Sequence, residues 1–75
     1  MYSFLFHFEN GEECYFENVT SVKFTEKTLV TVEGDKLLTY NYPLTKKLHL
    51  YSNNFTMIVN GESSKILWLK ITRQN

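Results

Sequence analysis

Apolar and polar positions alternate with period two along most of this chain, the spacing of half-buried β-strands. Tyr2, Phe4, Phe6 and Phe8 fall on one face of the first run, and Ser3, Leu5 and His7 on the other. Asn10-Gly11 follows, a pair suited to a type I′ hairpin loop because both residues tolerate positive φ. The returning strand is expected over 13–18. A strict two-residue loop would set Glu9 against Glu12, so a longer or bulged loop is the alternative. In the strict register His7 faces Cys14.

The run 28–42 reads as the central hairpin. Gly34-Asp35 would form a type II′ turn, with glycine taking the position that requires positive φ. Glu33 then pairs with Lys36, Val32 with Leu37, Thr31 with Leu38, Val30 with Thr39 and Leu29 with Tyr40. Before it, a bend over 18–21 points Val19 inward, and Ser21–Thr25 forms a third strand. A Glu26-Lys27 loop would pair Phe24 with Leu29 and Val22 with Thr31. That puts Val22, Phe24, Leu29, Leu38 and Tyr40 on one face. Glu26-Lys27 is poor turn chemistry, so a loop of three or four residues is the alternative.

Pro43 ends the next run, because it has no N–H for a ladder. After a loop over 43–46, a strand over 47–52 carries Leu48 and Leu50 on one face and His49 and Tyr51 on the other. Asn53-Asn54 is a two-residue loop that pairs Leu50 with Met57 and Leu48 with Val59 on a strand over 55–59. A polar connection covers 60–64. The last strand, 65–72, is apolar on both faces at Ile66, Leu67, Trp68 and Leu69, as expected of an internal strand or of one covered by a neighbouring chain. Residues 73–75 read as a frayed tail.

The expectation is one all-β domain over residues 1–75: a small antiparallel meander of about six to seven short strands, closed as a barrel or folded as a compact two-sheet sandwich. Helix signals are weak, since no segment holds a helical apolar period for three turns. Twelve aromatics in 75 residues favour strands and a large buried area per residue. A chain this short buries only about 60% of its unfolded surface, so its stability is marginal by default. No internal disulfide can help, because Cys14 is the only cysteine.

That lone cysteine, with no signal-peptide core and no apolar run of membrane-spanning length, points to a cytoplasmic protein. The glycosylation sequons at Asn18 and Asn54 then carry no meaning. Net charge is zero but unevenly spread, −5 over residues 1–35 and +5 over residues 36–75. Either the halves interleave and the charges meet as cross-strand pairs, or the fold has an acidic and a basic end, which favours head-to-tail contacts or an acidic ligand.

Motifs for chemistry are sparse. A Cys14–His7 pair could activate a thiolate, but a lone cysteine on an aromatic-flanked strand more often behaves as a small buried hydrophobe. His7, Cys14 and His49 lack the close ligand spacing of zinc sites. Glu9, Glu12, Glu13 and Glu17 lack the alternating Asp/Asn ligands of a calcium loop. Gly11, Gly34 and Gly61 each stand alone, so no phosphate-cradling loop is present. No cofactor, metal or small-molecule substrate is expected, and no membrane association.

Two binding readings remain. Lys46, Lys47, His49, Tyr51, Lys65, Trp68 and Lys70 would form a single-strand nucleic-acid surface if they shared one face. Zero net charge and a single arginine weigh against it. The favoured expectation is a non-enzymatic intracellular module that binds a protein partner or itself, because apolar residues on both faces of several strands exceed what one small core covers. A homodimer through a strand edge or an outer aromatic face follows, with Trp68, Leu69, Lys70, Tyr51, Lys46 and Lys47 as the candidate contact residues.

Overall fold

The computed structural model describes residues 1–74. Its elements run β1 (Tyr2–Phe8), β2 (Glu13–Val19), β3 (Ser21–Thr25), β4 (Leu29–Glu33), α1 (Lys36–Thr39), β5 (Lys47–Tyr51), β6 (Thr56–Asn60) and β7 (Ile66–Arg73). Every strand pairing is antiparallel. The strands form two sheets, ordered β2-β1-β7 and β4-β3-β5-β6. The expected all-β class holds, in its two-sheet form; the sheets do not close into a barrel. Three hairpins are consecutive in sequence, but β1 next to β7 and β3 next to β5 depart from a strict meander.

The core lies between the two sheets. Phe4, Phe6, Val19, Val22, Phe24, Val32, Leu37, Leu48 and Leu50 are all fully buried. The alternation in β1 is realised as expected: Tyr2, Phe4, Phe6 and Phe8 all face the core. Phe4 meets Tyr42 and Phe6 meets Phe16 edge-on, at centroid distances of 5.8 and 6.1 Å. This geometry brings a positive ring edge to a negative ring face.

Loop lengths set the registers. In the first hairpin the loop has three residues, 9–11, with Gly11 at φ 91° and hydrogen bonds from Phe8 N to Glu12 O and from Gly11 N to Phe8 O. This is the longer loop with glycine in the left-handed position, and it separates Glu9 from Glu12. His7 consequently pairs with Glu13, and Phe6 with Cys14. The His7–Cys14 pairing of the strict register does not form.

The second hairpin likewise uses a three-residue loop, 26–28. Phe24 pairs with Val30 and Val22 with Val32, one residue away from the two-residue expectation. A one-residue slip exchanges the two faces. Here it buries Val32 and leaves Leu29 64% exposed. The third hairpin matches its expectation: Leu50 pairs with Met57 and Leu48 with Val59.

The central hairpin over 28–42 is corrected. Gly34 does take a positive φ of 66°, but the chain then makes one helical turn, α1, and no strand over 36–42. The turn carries Leu37 into the core at 1% exposure. The Tyr42 hydroxyl donates to the Leu37 carbonyl at 2.8 Å, giving a helix-end acceptor its partner. Asp35 accepts from the Tyr2 hydroxyl at 2.8 Å and from Arg73. Core burial and three side-chain anchors therefore outweigh the local alternation of a short run. Leu38 and Tyr40, expected on one face with Val22 and Phe24, stay 38% and 37% exposed while those two are buried.

The expected frayed tail is held as far as it is described. Arg73 belongs to β7, and Gln74 N donates to Met1 O at 2.9 Å. The Gln74 side chain accepts from Asn18 N at 2.7 Å, where Asn18 takes a left-handed φ of 60°. Asn75, the last residue of that tail, lies outside the described residues.

Candidate functional site

The outer face of the three-stranded sheet is built in cross-strand rows. One row runs Glu13, His7, Trp68; the next runs Tyr15, Leu5, Lys70. A bulge in β7 follows from the register, in which Phe8 opposes Ile66 and His7 opposes Trp68. Leu67 is the unpaired extra residue. It and Trp68 remain 47% and 43% exposed. This resolves the apolar run at the end of the chain: β7 is neither internal nor part of a closed barrel, but an edge strand beside β1.

The first row is fully engaged. The Trp68 indole lies parallel to the His7 imidazole, with centroids 4.8 Å apart and planes 6° from parallel. His7 Nδ1 meets Glu13 Oε2 at 3.0 Å. The carboxylate orients the imidazole edge-on while the indole covers its face, so the three side chains hold one another in place. In the second row Tyr15 stands 57% exposed.

A groove of about 360 Å³ lies along the open side of β7, between Leu67, Leu69 and Ile71 and the extended stretch that carries Tyr40, Tyr42 and Leu44. Tyr42 is the most perturbed ionisable group. Burial pushes its hydroxyl well above the ordinary tyrosine range, and the neighbouring Tyr40 adds to this. It remains a hydrogen-bond donor throughout the physiological range.

The sequence-predicted contact residues divide between the two sheets. Trp68 and Lys70 lie on the outer face of β7, while Leu69 points inward and packs against the core. Lys47 and Tyr51 share the outer face of β5 with His49, and Lys23 sits over the Tyr51 ring at 5.2 Å. Lys46 and Lys47 border a separate polar cleft with Glu26 and Glu62. The seven-residue basic and aromatic surface expected for nucleic acid is thereby split. Trp68 and Lys70 belong to one sheet, with Lys65 in the connection just before β7, and Lys47, His49 and Tyr51 belong to the other.

Among the described residues the fold does not bring His7, Cys14 and His49 together. His7 faces outward, Cys14 opposes inward-facing Phe6, and His49 sits in the other sheet. His7 and Tyr15 were not among the contact residues foreseen. The signal that would have found them is the three-residue Asn-Gly loop, which sets the rows joining β2 to β1. Among the described residues no helix is long and apolar enough to cross a membrane. Comparison with known proteins found no matching family model, no matching curated protein and no matching solved structure.

Proposed function

We propose that this chain is a small non-enzymatic domain that binds protein, itself included, through the β7 edge and the adjoining aromatic face. The observation that carries this reading is the coincidence of Trp68 and Leu67, both more than 40% exposed, with a strand that pairs on one side only among the described residues; Tyr15, also exposed, lies two strands away on the same outer face. An open apolar edge is a template for another strand, and contiguous exposed apolar surface marks interaction sites. A small domain also gains apparent stability by mass action when a partner binds only its folded form. The smallest assembly on this reading is a homodimer. The setting is the cytoplasm, where the single thiol of Cys14 stays reduced. Light scattering at tens of micromolar tests the self-association: a mass well above the 8.9 kDa of one chain supports it, and a mass near 8.9 kDa at every concentration contradicts it.

A second reading, single-strand nucleic-acid binding, is favoured by the Lys23, Lys47, His49 and Tyr51 side chains on the outer face of the four-stranded sheet. Small β domains of this kind combine basic and aromatic side chains in that way. Titration with a labelled oligonucleotide separates the two. The protein-binding reading expects no complex tighter than about 100 μM at physiological salt. A micromolar complex released by added salt would put nucleic acid first.

A further inference from the structure

The three-stranded sheet is bounded by two open strands of opposite charge. β2 and its hairpin loop carry Glu9, Glu12, Glu13 and Glu17 and no base. β7 and the residue before it carry Lys65, Lys70 and Arg73 and no acid. Among the described residues each strand pairs only with β1, and the unpaired side of β7 opens onto the groove bordered by Tyr40, Tyr42 and Leu44. Some of this charge is met within the chain, through Lys65–Glu9, Arg73–Asp35 and His7–Glu13 contacts. Lys70, Glu12 and Glu17 form no ion pair among the described residues.

We propose that the occupant of the β7 edge is the β2 edge of a second copy, joined head to tail. The proposal rests on the protein-binding reading above and specifies its surface and partner. β2 and β7 are both antiparallel to β1 and therefore parallel to each other. A second copy set beside β7 in the same orientation continues the sheet as β2-β1-β7-β2-β1-β7. The existing rows fix a natural register for it. Glu13 aligns with Trp68 and Tyr15 with Lys70 within one chain. Carried across the junction, Lys70 lies beside Tyr15 of the next copy and diagonal to its Glu13 and Glu17. That places a cation against an aromatic face and between two carboxylates.

A two-fold symmetric edge contact would instead oppose like with like, base to base at β7 or acid to acid at β2. Charge complementarity therefore selects the heterologous arrangement. Each junction consumes one β7 and one β2 and leaves one of each free, so assembly proceeds past two copies to a ring or a filament.

Charge-reversal variants test this on the full chain. Lys70→Glu reverses the charge at the centre of β7, and the double variant Glu13→Lys, Glu17→Lys reverses the two carboxylates that would flank it on β2. All three side chains are exposed, and thermal melts verify that each variant folds. The expected result is a wild-type mass that grows with concentration and falls as salt rises from about 0.02 M to about 0.5 M. Each variant alone should stay a monomer, and an equimolar mixture of the two should assemble again. A Lys70→Glu variant that associates like the wild type overturns the head-to-tail arrangement while leaving the protein-binding reading in place, as does a mixture of folded variants that stays monomeric beside an assembling wild type. A wild type that is monomeric at low salt overturns both.

Discussion

Trp68 and His7 lie face to face at 4.8 Å across the β1–β7 pairing, and the same imidazole is held edge-on by Glu13. The stack fixes a half-exposed indole that would otherwise sample several rotamers, and it presents a rigid aromatic surface at the open edge of the sheet. Rigid aromatics lose little conformational entropy on binding. The arrangement therefore suits a contact surface better than a loose hydrophobic side chain would.

Removing the ring beneath the indole should be measurable. His7→Ala is expected to cost about 0.5–1.5 kcal/mol, the range for aromatic pairs beyond area burial. The Trp68 emission should shift to the red as the indole gains water. Unchanged emission and an unchanged melt would show that the stack does not persist in solution.

Gly61 is the glycine that the fold tolerates least. A Cβ there would overlap the Leu44 carbonyl oxygen and come within 2.8 Å of the Lys46 carbonyl oxygen, both backbone atoms. Gly61 N also donates to Lys46 O at 3.0 Å, so the two segments cannot separate freely. Gly61→Ala is expected to destabilise by about 1–3 kcal/mol, as overpacking does. Gly34→Val should cost about the same for a different reason, because a β-branched residue resists the positive φ of 66° found there. Urea titrations of both variants with midpoints equal to the wild type would contradict these assignments.

The buried Tyr42 hydroxyl makes alkaline stability a local probe. Burial, with Tyr40 adding, raises its folded-state pKa, so the folded chain holds this proton more tightly than the unfolded chain. The stabilisation is complete below the ordinary tyrosine pKa of about 10 and is lost as pH rises above it. Tyr42→Phe should therefore flatten the alkaline decline in stability. At neutral pH it should cost about 1 kcal/mol, because the Leu37 carbonyl loses its donor. Parallel pH dependences for the two proteins would contradict the burial of this hydroxyl.

What the chain pattern reveals of this fold depends on loop length. The pairs Leu50 with Met57 and Leu48 with Val59 follow directly from Asn53-Asn54, because a two-residue loop leaves one register. The pairs of Phe24 and Val22 shift by one, because the Glu26-Lys27 stretch extends to Thr28, whose carbonyl accepts from Glu26 N at 3.1 Å. The α1 turn is hidden for another reason. Leu37 and Tyr42 are placed by contacts with residues far along the chain, and the alternation of the seven residues 36–42 holds no record of them. The candidate surface was legible in its residues, Trp68 and Lys70 above all, but not in its boundaries. The division of Trp68 from Tyr51 follows from β1 pairing with β7, a long-range choice that local pattern does not encode.

The charge pattern shows the same division between composition and arrangement. Glu9–Lys65 and Asp35–Arg73 join the acidic half of the chain to the basic half, as interleaving would have it. Yet within the three-stranded sheet the remaining acids and bases collect on opposite edges, because β2 and β7 flank β1 and never meet.

The central claim is that this chain associates through β7, and the solution mass of Trp68→Glu measured beside Leu69→Glu tests it most directly. Trp68 faces outward and Leu69 packs on the core. The account predicts an assembled wild type, a folded Trp68→Glu monomer near 8.9 kDa and a Leu69→Glu chain that loses its thermal transition. A Trp68→Glu protein with the same mass as the wild type, or a wild type that is itself a monomer at tens of micromolar, would contradict it.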